Sequence, residues 1–248
     1  MKEPLLNPKI GSILMLIGGL VAFAFLLVNG PIQQDLGYHK LSDELTYLGI
    51  PNFWNVVSNL PFFFVGLWGI WNLKVLANTR LQYLAFFSGI ALVSLGSSYY
   101  HFTPTNATLI WDRLPMTIAF MAIFSIVISE YISYDLGRKM LFVLVLLGIG
   151  SVVYWHFFDD LRWYALIQFF PLFAIPIILL SYKGNYTLAE GYWFLIGGYL
   201  LAKVFEIYDT QIHESLGFIS GHSLKHLTAA VGLYALLDCY IKRKFIIH

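Results

Sequence analysis

The chain has 248 residues, of which 58% are hydrophobic, 18% aromatic and only 12% charged, with a formal net charge of +1. Soluble domains carry about a quarter charged residues, so this composition describes an integral membrane protein. Its near-neutral balance offers no surface for nucleic acid. One cysteine, Cys239, excludes an intramolecular disulfide and a cysteine-rich metal site.

A membrane-crossing helix needs about 20 apolar residues. In chain order, the apolar runs predict spans near 10–29, 53–74, 81–101, 112–133, 140–158, 163–182, 191–208 and 220–241. The first run follows Lys2 and Lys9 and is longer than the apolar segment of a signal peptide. It lacks a small-x-small cleavage site before Pro31, so it is read as a retained helix. Continuous runs, rather than short alternating ones, argue against a β-barrel. No soluble domain, low-complexity tract or repeat of 20–50 residues interrupts them. The expected fold is therefore all-α, a polytopic membrane helix bundle forming one integrated domain.

Cytoplasmic loops collect Lys and Arg. With the N-terminus inside, the cytoplasmic cations are Lys2, Lys9, Lys74, Arg80, Arg138, Lys139, Lys183, Lys242, Arg243 and Lys244. The opposite side holds Lys40, Arg113 and Arg162, while Lys203 and Lys225 fall within spans. Both termini are thus expected in the cytoplasm. His101 then ends the third helix at the outer face, Asp112 opens the fourth there, and His222 and His226 open the eighth at the same depth.

Ionisable groups within a bilayer are costly and usually face a polar interior where they act. Positions i and i+4 of a helix share a face, so His222 and His226 can chelate one ion and His101 can supply a third nitrogen. Three histidines with an open fourth position form the pattern of catalytic zinc. Such a zinc lowers the pKa of its water to about 7. Ser97 stands four residues before His101, where its hydroxyl can serve an oxyanion. Asp112 can orient the water or take its proton. The plainer reading makes the histidines interhelical hydrogen-bonding groups and Ser97 a small packing residue.

Other polar residues fall in or near the spans. Lys203, Glu206 and Asp209 on the seventh helix read as an internal ion pair, a polar cavity lining or a proton path. Lys225 is expected to project away from the two histidines, with Glu206 or Asp209 as partner. His156, Asp159 and Asp160 at the outer end of the fifth helix are candidates for an entrance. Trp111, Trp155 and Trp163 are read as interfacial anchors.

The ordered combination of Gly96-Ser97-Ser98-Tyr99-Tyr100-His101, Asp112-Arg113-Leu114-Pro115-Met116 and His222-x3-His226 resembles the alkaline ceramidases. These belong to a larger superfamily with the adiponectin/progestin receptors and Per1-type proteins. Phe53-Trp54-Asn55-Val56-Val57-Ser58-Asn59 resembles the stretch that opens the family's first core helix. The likeness covers about residues 52–241 and points to a bacterial-type member. It implies a seven-helix zinc hydrolase that cleaves the amide of ceramides. By resemblance His101, His222 and His226 hold the zinc, one per chain, and Ser97 and Asp112 act beside a water held by the metal.

Two departures stand out. Residues 1–51 add an N-terminal transmembrane helix and an outer loop ahead of the core, which takes residues 52–248. The family's calcium site also lacks its usual residues. Asn52 stands where the family has a glutamate, and the upstream Asp-Trp-Cys-Glu run is missing, although Asp35, Asp43 and Glu44 lie in the same loop. Calcium wants several oxygen ligands, so calcium is not carried over.

The leading expectation is a zinc-dependent lipid amidase acting on ceramide-like or other N-acyl lipids. Its substrate would reach the site from the membrane, with no nucleic acid and no obligate protein partner. A bacterial inner membrane is the expected location, with the site near the outer face. The rivals are a receptor-like lipid-binding protein with a structural zinc, and a proton-coupled transporter using Lys203, Glu206 and Asp209.

Overall fold

The computed structural model describes residues 4–76 and 80–246. Lys2, counted above among the cytoplasmic cations, lies outside them. The helices are α1 (Pro8–Val28), α2 (Phe53–Val57), α3 (Leu60–Trp71), α4 (Leu73–Leu76), α5 (Arg80–Phe102), α6 (Asn106–Tyr131), α7 (Tyr134–Phe158), α8 (Arg162–Ser181), α9 (Glu190–Ile207), α10 (Asp209–Leu216) and α11 (Gly221–Lys242). Among the described residues one 3-10 turn, Leu36–His39, sits between α1 and α2, and no β-strand occurs. The all-α polytopic bundle is therefore present.

Six spans among the described residues are long and apolar enough to cross a membrane: α1, α2–α3 taken together, and α5 to α8. Helices α9 and α11 have 18 and 22 residues but carry charges, Lys203 and Glu206 on one and Lys225 on the other. Their apolar faces join the same core through Tyr192, Leu233, Leu236 and Leu237. Helix α1 is peripheral. Only 11% of its apolar window is buried, and it lies along α8, tied by the Leu6 amide to the Leu180 carbonyl at 2.9 Å.

Three boundaries differ from the sequence reading, each for a local reason. The second span breaks after Val57. Pro61 near the start of α3 has no N–H to continue the ladder, and the Asn59 side chain donates to the Asn55 carbonyl at 2.8 Å. The fourth span begins at Asn106, where Thr105 and Thr108 form a reciprocal capping box; Asp112 thus sits inside α6 rather than opening it. The short amphipathic α10 follows α9, so Asp209 starts a new helix instead of extending the seventh span.

The segment between α1 and α2 is clamped to the α7–α8 connection. The Gln34 amide donates to Asp159 Oδ1 at 3.1 Å and the Ile32 amide to Asp160 Oδ1 at 3.3 Å. Arg162 pairs with Asp160 at 2.7 Å and reaches the Leu26 carbonyl at 2.7 Å. Its hydrogen bonds hold the Asp160 carboxyl below the usual carboxylate range. Asp159 and Asp160, candidates for an entrance, therefore act as fasteners. Trp155, read as an interfacial anchor, is fully buried, whereas Trp111 and Trp163 are exposed.

The opposite end is closed by a buried charge. Arg243, expected in a cytoplasmic loop, is only 3% exposed at its side chain and pairs with Glu130 at 2.8 Å. Tyr83 and Tyr192 donate to the same carboxylate, the latter at 2.8 Å. Removing one member of such a pair leaves a buried charge uncompensated. Glu130→Ala is expected to cost about 3–5 kcal/mol, read as a lower melting temperature in detergent, with metal content per folded chain unchanged.

Candidate metal centre

Three helices bring the site together. Ser97 and His101 lie one turn apart at the end of α5, His222 and His226 one turn apart at the start of α11, and Asp112 lies on α6. Gly96 allows α5 and α6 to meet, because a Cβ there would collide with the Trp111 carbonyl. That carbonyl has no helical donor four residues on, since Pro115 carries no N–H. The close approach brings Asp112 into the same cavity wall as Ser97.

The three imidazoles are buried, and one ring nitrogen from each lies within 4.8 Å of the others. His101 Nε2 and His222 Nε2 are 3.3 Å apart. Nitrogens bound to a tetrahedral zinc at 2.0–2.1 Å stand about 3.3 Å from one another, so this pair is already at ligand spacing. His226 is aimed by Ser58. The Ser58 hydroxyl donates to the Asn55 carbonyl at 3.3 Å and lies 2.8 Å from His226 Nδ1. Nδ1–H then donates to Ser58, and Nε2 keeps its lone pair for a metal. The residues present fit a three-histidine ion.

A polar girdle holds these ligands. Asn55, fully buried on α2, donates to the Asp43 carbonyl at 2.9 Å and accepts from the Ser220 and Ser223 hydroxyls at 3.3 and 3.1 Å. Asn52, the position that departs from the family's calcium site, donates to the His101 carbonyl at 2.8 Å. Asp209 accepts from the His222 amide at 2.6 Å, so it fixes the start of α11 and is not the partner of Lys225. Asn55 and Ser58 were not singled out as functional from sequence. The available signal was a polar set at i, i+3 and i+4 (Asn55, Ser58, Asn59) in an otherwise apolar run. Partners that orient a metal-binding histidine are worth about 10–100-fold in metal affinity. Ser58→Ala is expected to weaken binding of a metal at the triad by about that factor, measured by competition with a chelator.

Lys225 corrects another expectation. Its ammonium does not project away but lies 2.9 Å from His222 Nε2 and 2.9 Å from Glu206 Oε1. Glu206 Oε2 pairs with Lys203 at 2.5 Å. Glu206 thus holds two ammonium groups and keeps one of them beside the triad.

A cavity of about 650 Å³ opens at the site, with Ser97, Asp112, Glu206, Lys225 and His226 in its walls. Ile32 to Asp35, Gly37 and Tyr38 of the segment between α1 and α2 also line it. A second, almost wholly apolar chamber of about 140 Å³ adjoins it, sharing Phe62, Val93, Met116, Tyr199 and Ala229. Polar chemistry and an apolar recess are therefore contiguous.

An apolar-belted helix bundle with three convergent buried imidazoles defines a multi-pass membrane protein with a candidate metal site. A family model described as Ceramidase matches residues 49–191, more than half of the chain, and the chain belongs to the ceramidase family. Membership implies a hydrolase acting on amide bonds. The matched stretch contains Ser97, His101 and Asp112, whereas His222 and His226 lie beyond it and join them through the fold. No curated protein matches the sequence.

Proposed function

We propose that this chain is a zinc-dependent lipid amidase that hydrolyses ceramide-like or other N-acyl lipids to a free amine and a fatty acid. The observation that supports it most strongly is the buried histidine triad on a cavity that is polar on one side and apolar on the other. His101, His222 and His226 would hold one zinc, which supplies Lewis-acid polarisation and an acidified water. Ser97 donates a hydrogen bond to the amide oxygen as negative charge builds on it. Asp112, in the same cavity wall as Ser97, accepts a proton from the attacking water and returns it to the leaving amine.

The apolar chamber receives the acyl chain, and the clamped outer segment shields the reacting groups from bulk water. Substrate reaches the cavity from the membrane. In this reading both termini are cytoplasmic and the site lies near the outer face of a bacterial inner membrane. The transporter reading needs Lys203, Glu206 and Asp209 to form a relay. Instead Glu206 is closed between two lysines, and Asp209 is engaged with backbone.

The test combines elemental analysis of the purified protein with incubation on a panel of N-acyl lipids that includes ceramides. About one zinc per chain and release of fatty acid are expected. Zinc without turnover across the panel would favour a structural metal, and absence of zinc would leave the histidines as interhelical contacts.

A further inference from the structure

Arg113 is the residue of the cavity wall for which neither metal binding nor proton transfer gives a use. It is 6% exposed and lines the same cavity as Asp112. Its guanidinium carbon lies 4.2 Å from the ring centre of Trp155, 4.7 Å from that of Tyr164 and 5.9 Å from that of Tyr38. Nη2 donates to Gln34 Oε1 at 2.7 Å. Nη1 is buried and has no hydrogen-bond partner.

The other arginines with buried surroundings are treated differently. Arg243 has Glu130 at 2.8 Å and Arg162 has Asp160 at 2.7 Å. No carboxylate among the described residues forms an ion pair with Arg113, whose polar contact is a neutral amide. The Asp112 carboxylate in the same cavity wall acts on Arg113 only through space; a buried cation without a bonded counter-ion is unfavourable, and aromatic faces offset this only in part. The three rings crowd the guanidinium, and Nη1 is the group left without a partner. A planar oxyanion suits the guanidinium, since the fork matches a carboxylate in two parallel hydrogen bonds. Gln34, which orients the fork, is itself clamped to Asp159, so the group is held in place in advance.

We propose that Arg113 binds a carboxylate of the cavity's ligand, either the acidic headgroup of an N-acyl amino acid or the carboxylate of the released fatty acid. The headgroup assignment rests on the amidase reading above, whereas carboxylate binding does not. It would make acidic N-acyl lipids better ligands than neutral ones of equal chain length.

The test uses zinc-loaded full-length protein in detergent and measures binding of N-palmitoylglycine, palmitate and neutral N-palmitoylethanolamine. The same titrations are made on Arg113→Gln, and hydrolysis of the two amides is followed separately. Wild type is expected to bind at least one carboxylate probe about tenfold or more tightly than the neutral amide, and Arg113→Gln to lose that preference. Preference for N-palmitoylglycine identifies the headgroup as the source, and preference for palmitate alone identifies the product.

Equal affinities for all three probes in wild type would overturn the proposal, whether or not the variant folds. So would an unchanged preference in Arg113→Gln. Hydrolysis of the neutral amide without any carboxylate preference rejects only the role of Arg113. Carboxylate preference with no hydrolysis of either amide retains Arg113 and counts against the amidase.

Discussion

His222→Ala is expected to yield a folded protein with almost no bound zinc and with amide hydrolysis lowered by about three orders of magnitude or more. His222 Nε2 faces His101 Nε2 at 3.3 Å, so its loss leaves two imidazoles where a stable site needs three protein ligands. The metal is worth several kcal/mol of charge stabilisation, and each 1.36 kcal/mol is tenfold in rate. Collapse of the bundle is not expected. The backbone amide of residue 222 keeps Asp209 as acceptor, and Lys225 keeps Glu206. Elemental analysis and size-exclusion behaviour, taken with the rate, separate loss of metal from loss of fold. Wild-type turnover in this variant would remove the triad from the reaction.

Asp112→Asn should behave differently. Asparagine has the same shape, yet it cannot take up a proton at neutral pH. A fall in kcat of about 10²–10⁴-fold is expected, the range for a positioned acid–base group, with zinc content unchanged. KM should move little if Asp112 acts on the transition state rather than on substrate binding. Ser97→Ala should lose about 10²–10³-fold, as for a single oxyanion donor. Because Ser97 and Asp112 line one cavity and serve the same reaction, the double variant should fall short of the product of the two losses. Comparable losses with loss of zinc would instead make Asp112 part of the metal's hold on the protein.

How much of this was readable in advance depends on the distance over which each feature is decided. The spans were legible because about 20 consecutive apolar residues are a property of one stretch of chain. The pairs Ser97 with His101 and His222 with His226 were legible because a four-residue spacing fixes a shared helix face. Composition limited the fold to a helical membrane protein, and the ordered Ser, His, Asp and His-x3-His pattern pointed to the ceramidase family.

Other features were decided by neighbours far along the chain. Spacing on α11 left Lys225 free to point elsewhere, but Glu206 on α9 draws its ammonium beside His222. Ser58 carried no role of its own within the Phe53–Asn59 stretch until α11 placed His226 Nδ1 2.8 Å from it. Trp155 had the sequence of an interfacial anchor and instead lies over Arg113, a residue on a different helix. Arg243 counted as a loop cation and is buried on Glu130 from α6. By itself, the sequence determined the membrane-spanning helical class and the histidine-bearing faces, because apolar run length and helical periodicity are local, and its ordered motifs carried the resemblance to the family. The tertiary structure alone decided the second layer of polar partners, the unpaired state of Arg113 and the joining of a polar cavity to an apolar one. A buried charge takes whichever partner packing brings within reach, and that partner can come from any helix of the bundle.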